Sequence, residues 1–312
     1  MTRLEAAVKA SYASSTWTNI RTQHTKYVDF TRQKGWQPFP IEEDVVIMYA
    51  IYLSFEFKSV ASVSNYISGV KTCNALLGFK PMDTVFLLGQ SLKGLKRLMS
   101  RPINQAPPIT PAILTSIAQR VDQQSPVEVT CYTAILVAFH ILLRRSNLVP
   151  ESKSSFDSSK QLTRGDVVST KGFLLVSITW TKTIQFHERT LLLPLIPQRS
   201  KWICPVAWLG LMMHMVPADK EQPLFALPHG GNVVPLTGPK LAANLTKWTA
   251  FLPECFTLHS CRRGGTTHAF HSDVPPEMIK RMGDWVSDCY SRYIDVALDD
   301  RLTAASLMAD NV

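Results

Sequence analysis

His259 and Arg262 stand three residues apart in the segment His259-Ser260-Cys261-Arg262, and Trp285 and Tyr293 follow, eight residues apart. A spacing of three puts the imidazole and the guanidinium on one face of a helix. Thr257 or Ser260 can start that helix, so both side chains project from its N-terminal end, where the dipole favours phosphate. The indole and the phenol lie on a second amphipathic segment. Together these groups can grip a phosphodiester, stabilise the charge of its transition state and attack it with tyrosine. Metal-free cleavage of this kind needs an in-line hydroxyl, positive charge on the non-bridging oxygens, a proton for the leaving 5′ oxygen, and donors that hold the phosphate still. Arginine suits the second task, because its fork matches phosphate oxygens and keeps its charge.

Other residues supply candidates for the remaining tasks. Arg144 and Arg145 end the apolar stretch Phe139-His140-Ile141-Leu142-Leu143. An arginine buried against such a helix is costly without an anionic partner, although cations also cap helix C-termini. Lys182 lies between two β-like segments, and Lys171 lies in the preceding turn. Tyr290 stands one turn from Tyr293 and is read as structural. Arg263-Gly264-Gly265 follows Arg262, and small residues there allow close approach to a neighbouring element or to DNA. His259, Cys261, His268 and His271 could be read as zinc ligands, but their spacing fits no common finger or ribbon.

These residues need a scaffold, and the pattern is mainly α with a small antiparallel sheet. Helical segments are expected at about 17–34, 42–55, 60–77 and 87–100. The last carries Lys93, Lys96, Arg97 and Arg101, which share one face and form a candidate DNA-contacting stripe. Pro102, Pro107 and Pro108 preclude a helix and mark a semi-rigid linker. Thr110-Pro111 then opens a new helix. The expected domains are therefore 1–104, a helical DNA-clamping unit, and 105–312, which holds the candidate chemistry. In the second, helices at about 111–123 and 126–143 precede period-two strands near 166–169, 173–180 and 188–195. Helices resume at about 205–215, 238–249, 261–270, 276–282 and 288–297, and an amphipathic tail runs from about 299 to 308.

Bulk properties agree with a polyanionic partner. The formal charge is +9 and the pI about 9.3, and clustered Lys and Arg release counterions from phosphates on binding. Hydrophobic content of 46% and charged content of 18% exclude a disordered chain. The six cysteines lack paired metal-type spacing, which suits reduced thiols in a cytosolic or nuclear compartment. The apolar stretch from Tyr132 to Leu143 is too short to cross a bilayer, and no membrane association is expected.

In this order, the Arg144 segment, Lys182, His259-x-x-Arg262, Trp285 and Tyr293 resemble the catalytic domain of tyrosine recombinases, and the helical N-terminal part resembles their core-binding domain. The resemblance implies roles. Arg144, with Arg145 as its neighbouring alternative, would be the first catalytic arginine and Arg262 the second. Lys182, or alternatively Lys171, would be the hairpin lysine that protonates the leaving 5′ oxygen. His259 and Trp285 would donate to the phosphate, and Tyr293 would be the nucleophile forming a 3′-phosphotyrosyl link. Asn147 departs from the family pattern, which has a carboxylate there; an amide can orient a neighbour but cannot offset its charge. The short Trp285-to-Tyr293 interval and the Trp-x-Ser-Asp-x-Tyr-x-x-Tyr arrangement are similar to the eukaryotic mobile-element branch, the Crypton- and DIRS-type recombinases. The implied activity is site-specific recombination of double-stranded DNA, integrating or excising a mobile element. No metal or cofactor is implied, and the C-terminal helix would join protomers into a tetramer on DNA. The chain would act in the nucleus if eukaryotic and in the cytoplasm otherwise. A host-adopted DNA-binding protein that has lost catalysis, or a type IB topoisomerase, would share much of this pattern.

Overall fold

Side-chain caps define several of the helix starts. A computed structural model of the chain describes residues 2–83, 86–100, 105–296 and 298–309. Arg101, proposed above for the DNA-contacting stripe, and linker residues 102–104 lie outside them. The chain divides into two compact units, Met1–Asn104 and Gln105–Val312.

The first unit is helical: α1 (Arg3–Ala10), α2 (Ser14–Gln33), α3 (Glu43–Glu56), α4 (Val60–Leu76) and α5 (Phe86–Leu98). Thr2 and Glu5 form a capping box on α1, a helix that the sequence pattern did not suggest, and Ser59 caps α4. Tyr27 and Phe30 of α2 meet Tyr49 of α3, each with ring centroids 5.0 Å apart. Val46, Leu53, Val63, Val70, Leu88 and Leu95 complete this core. Burial of Leu88 and Leu95 turns the opposite face of α5 to solvent. Lys93, Lys96 and Arg97 are exposed there and form no ion pair among the described residues.

In the second unit, Thr110 and Ser125 cap α6 (Pro111–Ala118) and α7 (Pro126–His140), each with proline in its first turn. Helix α7 is apolar all round and buried along nearly its whole length, as such a helix must be. It ends at His140, not at 143 as its apolar pattern suggested, because Leu142 adopts φ +54°. That left-handed conformation is rare for leucine and marks a site where the surrounding structure holds the backbone. Short α8 (Arg145–Leu148) follows. Strands β1 (Val167–Ser169), β2 (Leu174–Ile178) and β3 (Leu191–Leu195) form an antiparallel sheet in chain order. Its register pairs Val176 with Leu193 and directs both into the core.

Helix α9 (Pro205–Met215) packs against α7. A second hairpin, β4 (Ala226–His229) and β5 (Asn232–Pro235), turns on Gly230 and Gly231, at φ +54° and +80°. The sequence pattern missed it, although Gly-Gly between apolar segments is a hairpin signal. Then come α10 (Gly238–Thr249), α11 (Leu258–His271), α12 (Pro276–Met282), a 3-10 helix at Asp288–Tyr293, and α13 (Leu298–Ala309). The tyrosine-bearing segment is thus a short 3-10 turn rather than the longer α-helix its amphipathic pattern suggested. The architecture is mainly α with small antiparallel sheets.

Two glycines let α11 reach its place. A Cβ on Gly264 would lie 1.9 Å from the Ile109 carbonyl oxygen, and one on Gly265 would lie 2.0 Å from that of Phe139. Gly265→Ala must therefore push α11 off α7. The expected loss is about 1–3 kcal/mol of stability, typical of overpacking, read as a lower urea midpoint at unchanged slope.

Candidate active site

Helix α11 carries the centre of the site. Thr257 caps it by accepting from the His259 amide, and the Thr257 amide donates to Ser260 Oγ. The helix thus begins at Leu258, a turn earlier than its apolar pattern indicated, and presents His259 in its first turn and Arg262 one turn later.

Arg262 is 2% exposed, and its guanidinium is held by backbone carbonyls rather than by an acid. It donates to Leu142 O and, at 2.5 Å, to Gly283 O. The left-handed turn at Leu142 aims the first of these carbonyls. Gly283 lies just before Asp284, which is also left-handed at φ +54°. The Trp285 ring lies beneath the guanidinium, 3.9 Å from its carbon, a cation–π stack in a desolvated setting. No carboxylate lies within ion-pair distance of Arg262 among the described residues. Burial chiefly, then the charge of Arg144, pushes its pKa down; a guanidinium nonetheless stays charged near neutral pH.

Arg144, His259, Arg262 and Tyr293 line one open cavity of about 510 Å³, together with Arg145 and Ser146. The Tyr293 ring stands 5.0 Å from the His259 ring and 5.1 Å from the Trp285 ring. Tyr290, by contrast, packs on Trp285 at 6.2 Å and is not part of the cavity wall. Thr267 Oγ1 donates to the Tyr293 carbonyl at 3.1 Å, and the Asp295 amide donates back to Thr267 at 3.0 Å, which fastens the tyrosine segment to α11. Burial, then Arg262, Arg263 and Arg144, lower the pKa of His259. Near neutral pH it is therefore a neutral imidazole with one proton to donate.

The two neighbouring arginines separate. Arg144 is half-buried, donates to the Asp284 carbonyl at 3.3 Å and faces its carboxylate at 3.8 Å. Arg145 is exposed and ion-paired with Glu151. Asn147 is buried, and its amide donates to Trp180 O at 2.6 Å, a bond that a carboxylate could not make. It therefore anchors the start of the β2–β3 connection, which carries Lys182. Lys182 itself is exposed, outside the cavity wall, and its ammonium has no partner among the described residues. Lys171 is exposed in the β1–β2 turn.

Arg263 does not face outward. Its side chain donates to Ala106 O at 2.9 Å and pairs with Asp295 at 3.0 Å, so the guanidinium is engaged within the fold. The alternative zinc set is not gathered either. Cys261 is turned into the core, where burial pushes its thiol up to about 12, and His271 pairs with Asp300. Among the described residues no three His, Cys, Asp or Glu side chains converge as ligands. Sequence reasoning also missed Asp284 and Arg189, which meet across 95 residues of chain and carry no local signal.

No protein-family profile and no curated protein sequence matches the chain. Solved structures do. The Tn1549 transposon integrase, in complex with transposon right-end DNA, superposes with a TM-score of 0.62 at 15% identity, over 98% of this chain and 97% of that one. A lambda integrase dimer bound to a core site gives 0.62 at 14% identity, covering 95% and 93%. The XerH site-specific recombinase, bound to a palindromic substrate, gives 0.59 at 12% identity, covering 92% and 77%. The fold of this chain is that of tyrosine recombinases.

Proposed function

We propose that the protein is a site-specific tyrosine recombinase that cuts and rejoins double-stranded DNA through a 3′-phosphotyrosyl intermediate. The observation that carries this reading is Arg262, a buried cation left without an acid, beside Arg144, His259 and Tyr293 on one cavity wall. Such a charge is costly to bury unless an anion completes it, and a phosphate does so with two faces of the guanidinium already fixed. The similar integrases and recombinases were captured on DNA, which supports a nucleic-acid phosphate.

In this reading the Tyr293 hydroxyl loses its proton to solvent as Oη attacks the phosphorus, and the bond to the 5′ oxygen breaks. Arg144 and Arg262 stabilise the charge that develops on the non-bridging oxygens. His259 donates one hydrogen bond, and Trp285 supports Arg262 from below. Lys182 gives its proton to the departing oxygen, and rejoining reverses the step. The tyrosyl ester conserves the bond, so the chemistry calls for no nucleotide. Lys93, Lys96 and Arg97 contact backbone phosphates, and α13, with Leu298, Leu302 and Met308 exposed, joins protomers into a tetramer. The spacing of Trp285 and Tyr293 favours an element of the Crypton or DIRS type; the protein would act in the nucleus if eukaryotic and in the cytoplasm otherwise.

The test is covalent trapping. Nicked DNA carrying the element's termini should yield a protein–DNA band that survives denaturation. DNA that is bound without any such band would support the second reading, an adopted binding protein. The same assay separates the arginines. Arg144→Ala should slow adduct formation by about a hundredfold or more, as expected for loss of a charge-stabilising donor. Arg145→Ala should change it little, because exposed ion pairs contribute at most about 1 kcal/mol.

A further inference from the structure

We propose that Asp284 is a positioning residue that docks the lysine-bearing β2–β3 connection onto the arginine site. This rests on the recombinase reading above. The Asp284 carboxylate is nearly inaccessible and is the meeting point of three elements. Thr181 and Thr183 donate their hydroxyls to one of its oxygens, Arg189 donates to the other, and Arg144 faces it at 3.8 Å. Thr181 and Thr183 flank Lys182. Two of the carboxylate's partners therefore bracket the residue that is assigned the proton transfer, and a third precedes β3.

The backbone supports the same conclusion. Asp284 stands at φ +54°, a conformation aspartate tolerates better than most side chains. That turn lets Gly283 O accept from Arg262 while the next side chain, Trp285, lies under the same guanidinium. One residue thus serves two sides: its backbone turn belongs to the phosphate-binding arginine and its carboxylate to the lysine's connection. Asn147 adds a second tie through Trp180 O. A carboxylate that accepts from two hydroxyls and a guanidinium in a desolvated place holds them strongly, since charge-assisted bonds are the strong ones.

Lys182 matters only for proton delivery to the leaving oxygen, whereas Arg144 matters for charge on the phosphorus oxygens. A substrate whose 5′ bridging oxygen is replaced by sulfur separates the two tasks. A thiol ionises near pH 8.5, so a sulfur leaving group departs without a donated proton. Asp284→Asn keeps the shape and tolerance of the left-handed turn and removes the charge. On ordinary DNA it should slow adduct formation by about tenfold to a hundredfold, the scale of a displaced catalytic group. On the 5′-phosphorothiolate it should react close to wild type, as Lys182→Ala should. Thr181→Val combined with Thr183→Val leaves the Asp284 backbone turn in place and should show the same split between substrates, with a lowered melting temperature because the desolvated carboxylate loses two donors. Equal losses on both substrates would place the role of Asp284 in Arg144 or in folding and overturn the proposal, as would no loss on either. Wild-type protein that binds the sulfur DNA and forms no adduct would overturn the recombinase reading itself.

Discussion

Tyr293→Phe is expected to abolish covalent attachment to DNA while leaving DNA affinity unchanged, and Tyr290→Phe is expected to retain attachment. Loss of one oxygen removes the phenolic hydroxyl that is assigned the attack on the phosphodiester. The Tyr293 ring sits 5.0 Å from His259, with the Arg262 guanidinium 5.5 Å from its centroid, on the wall of the cavity. Tyr290 packs on Trp285 at 6.2 Å and against the small cluster of Leu142, Ile279 and Trp285 that Tyr293 also meets, but it is not on the cavity wall. The phenyl ring that replaces Tyr293 preserves the contacts with His259 and Trp285, so the site should stay assembled. Filter binding should therefore give the same affinity and salt dependence for both variants, and denaturing gels should differ entirely. A persistent adduct from Tyr293→Phe would move the nucleophile to Tyr290 and require the 3-10 segment to rotate.

Much of this site was legible in the sequence wherever its information is local. A cap at Thr257 and a three-residue interval suffice to place His259 beside Arg262, because helix geometry does the rest. The mainly α architecture with a small sheet followed from the same periodicities. What was not legible depends on non-local partners. Nothing near Leu142 announces a left-handed turn; it is held there by Arg262, 120 residues away. The apolar run from Phe139 to Leu143 looked like continuous helix because burial on all sides and helicity give the same pattern. Asp284 reads as an ordinary acidic residue before Trp285 until Thr181, Thr183 and Arg189 arrive from the sheet. The partners of Arg263 are non-local in the same way: Asp295 and the Ala106 carbonyl hold its guanidinium.

Arg262→Gln is expected to reduce adduct formation by about a thousandfold or more, comparable with loss of a transition-state arginine in other phosphoryl-transfer sites, with only a small loss of stability. The two effects diverge because of how the residue is held. Two carbonyls and an indole face hold it, with the Tyr293 ring 5.5 Å away. A glutamine amide can donate to one of those carbonyls, and it removes a buried charge that no acid balances. Folding therefore loses some hydrogen bonding but is relieved of a desolvated cation. Catalysis has no such compensation, since the charge is wanted only when the phosphorane forms. Arg262→Lys should be nearly as slow. An ammonium cannot reach Leu142 O and Gly283 O together while also addressing a phosphate, and it lacks the planar face that stacks on Trp285. Thermal melts and single-turnover trapping on one set of variants check both halves. A glutamine variant that unfolds, or one that cleaves within tenfold of wild type, would show that Arg262 is held for the fold and not for the phosphate.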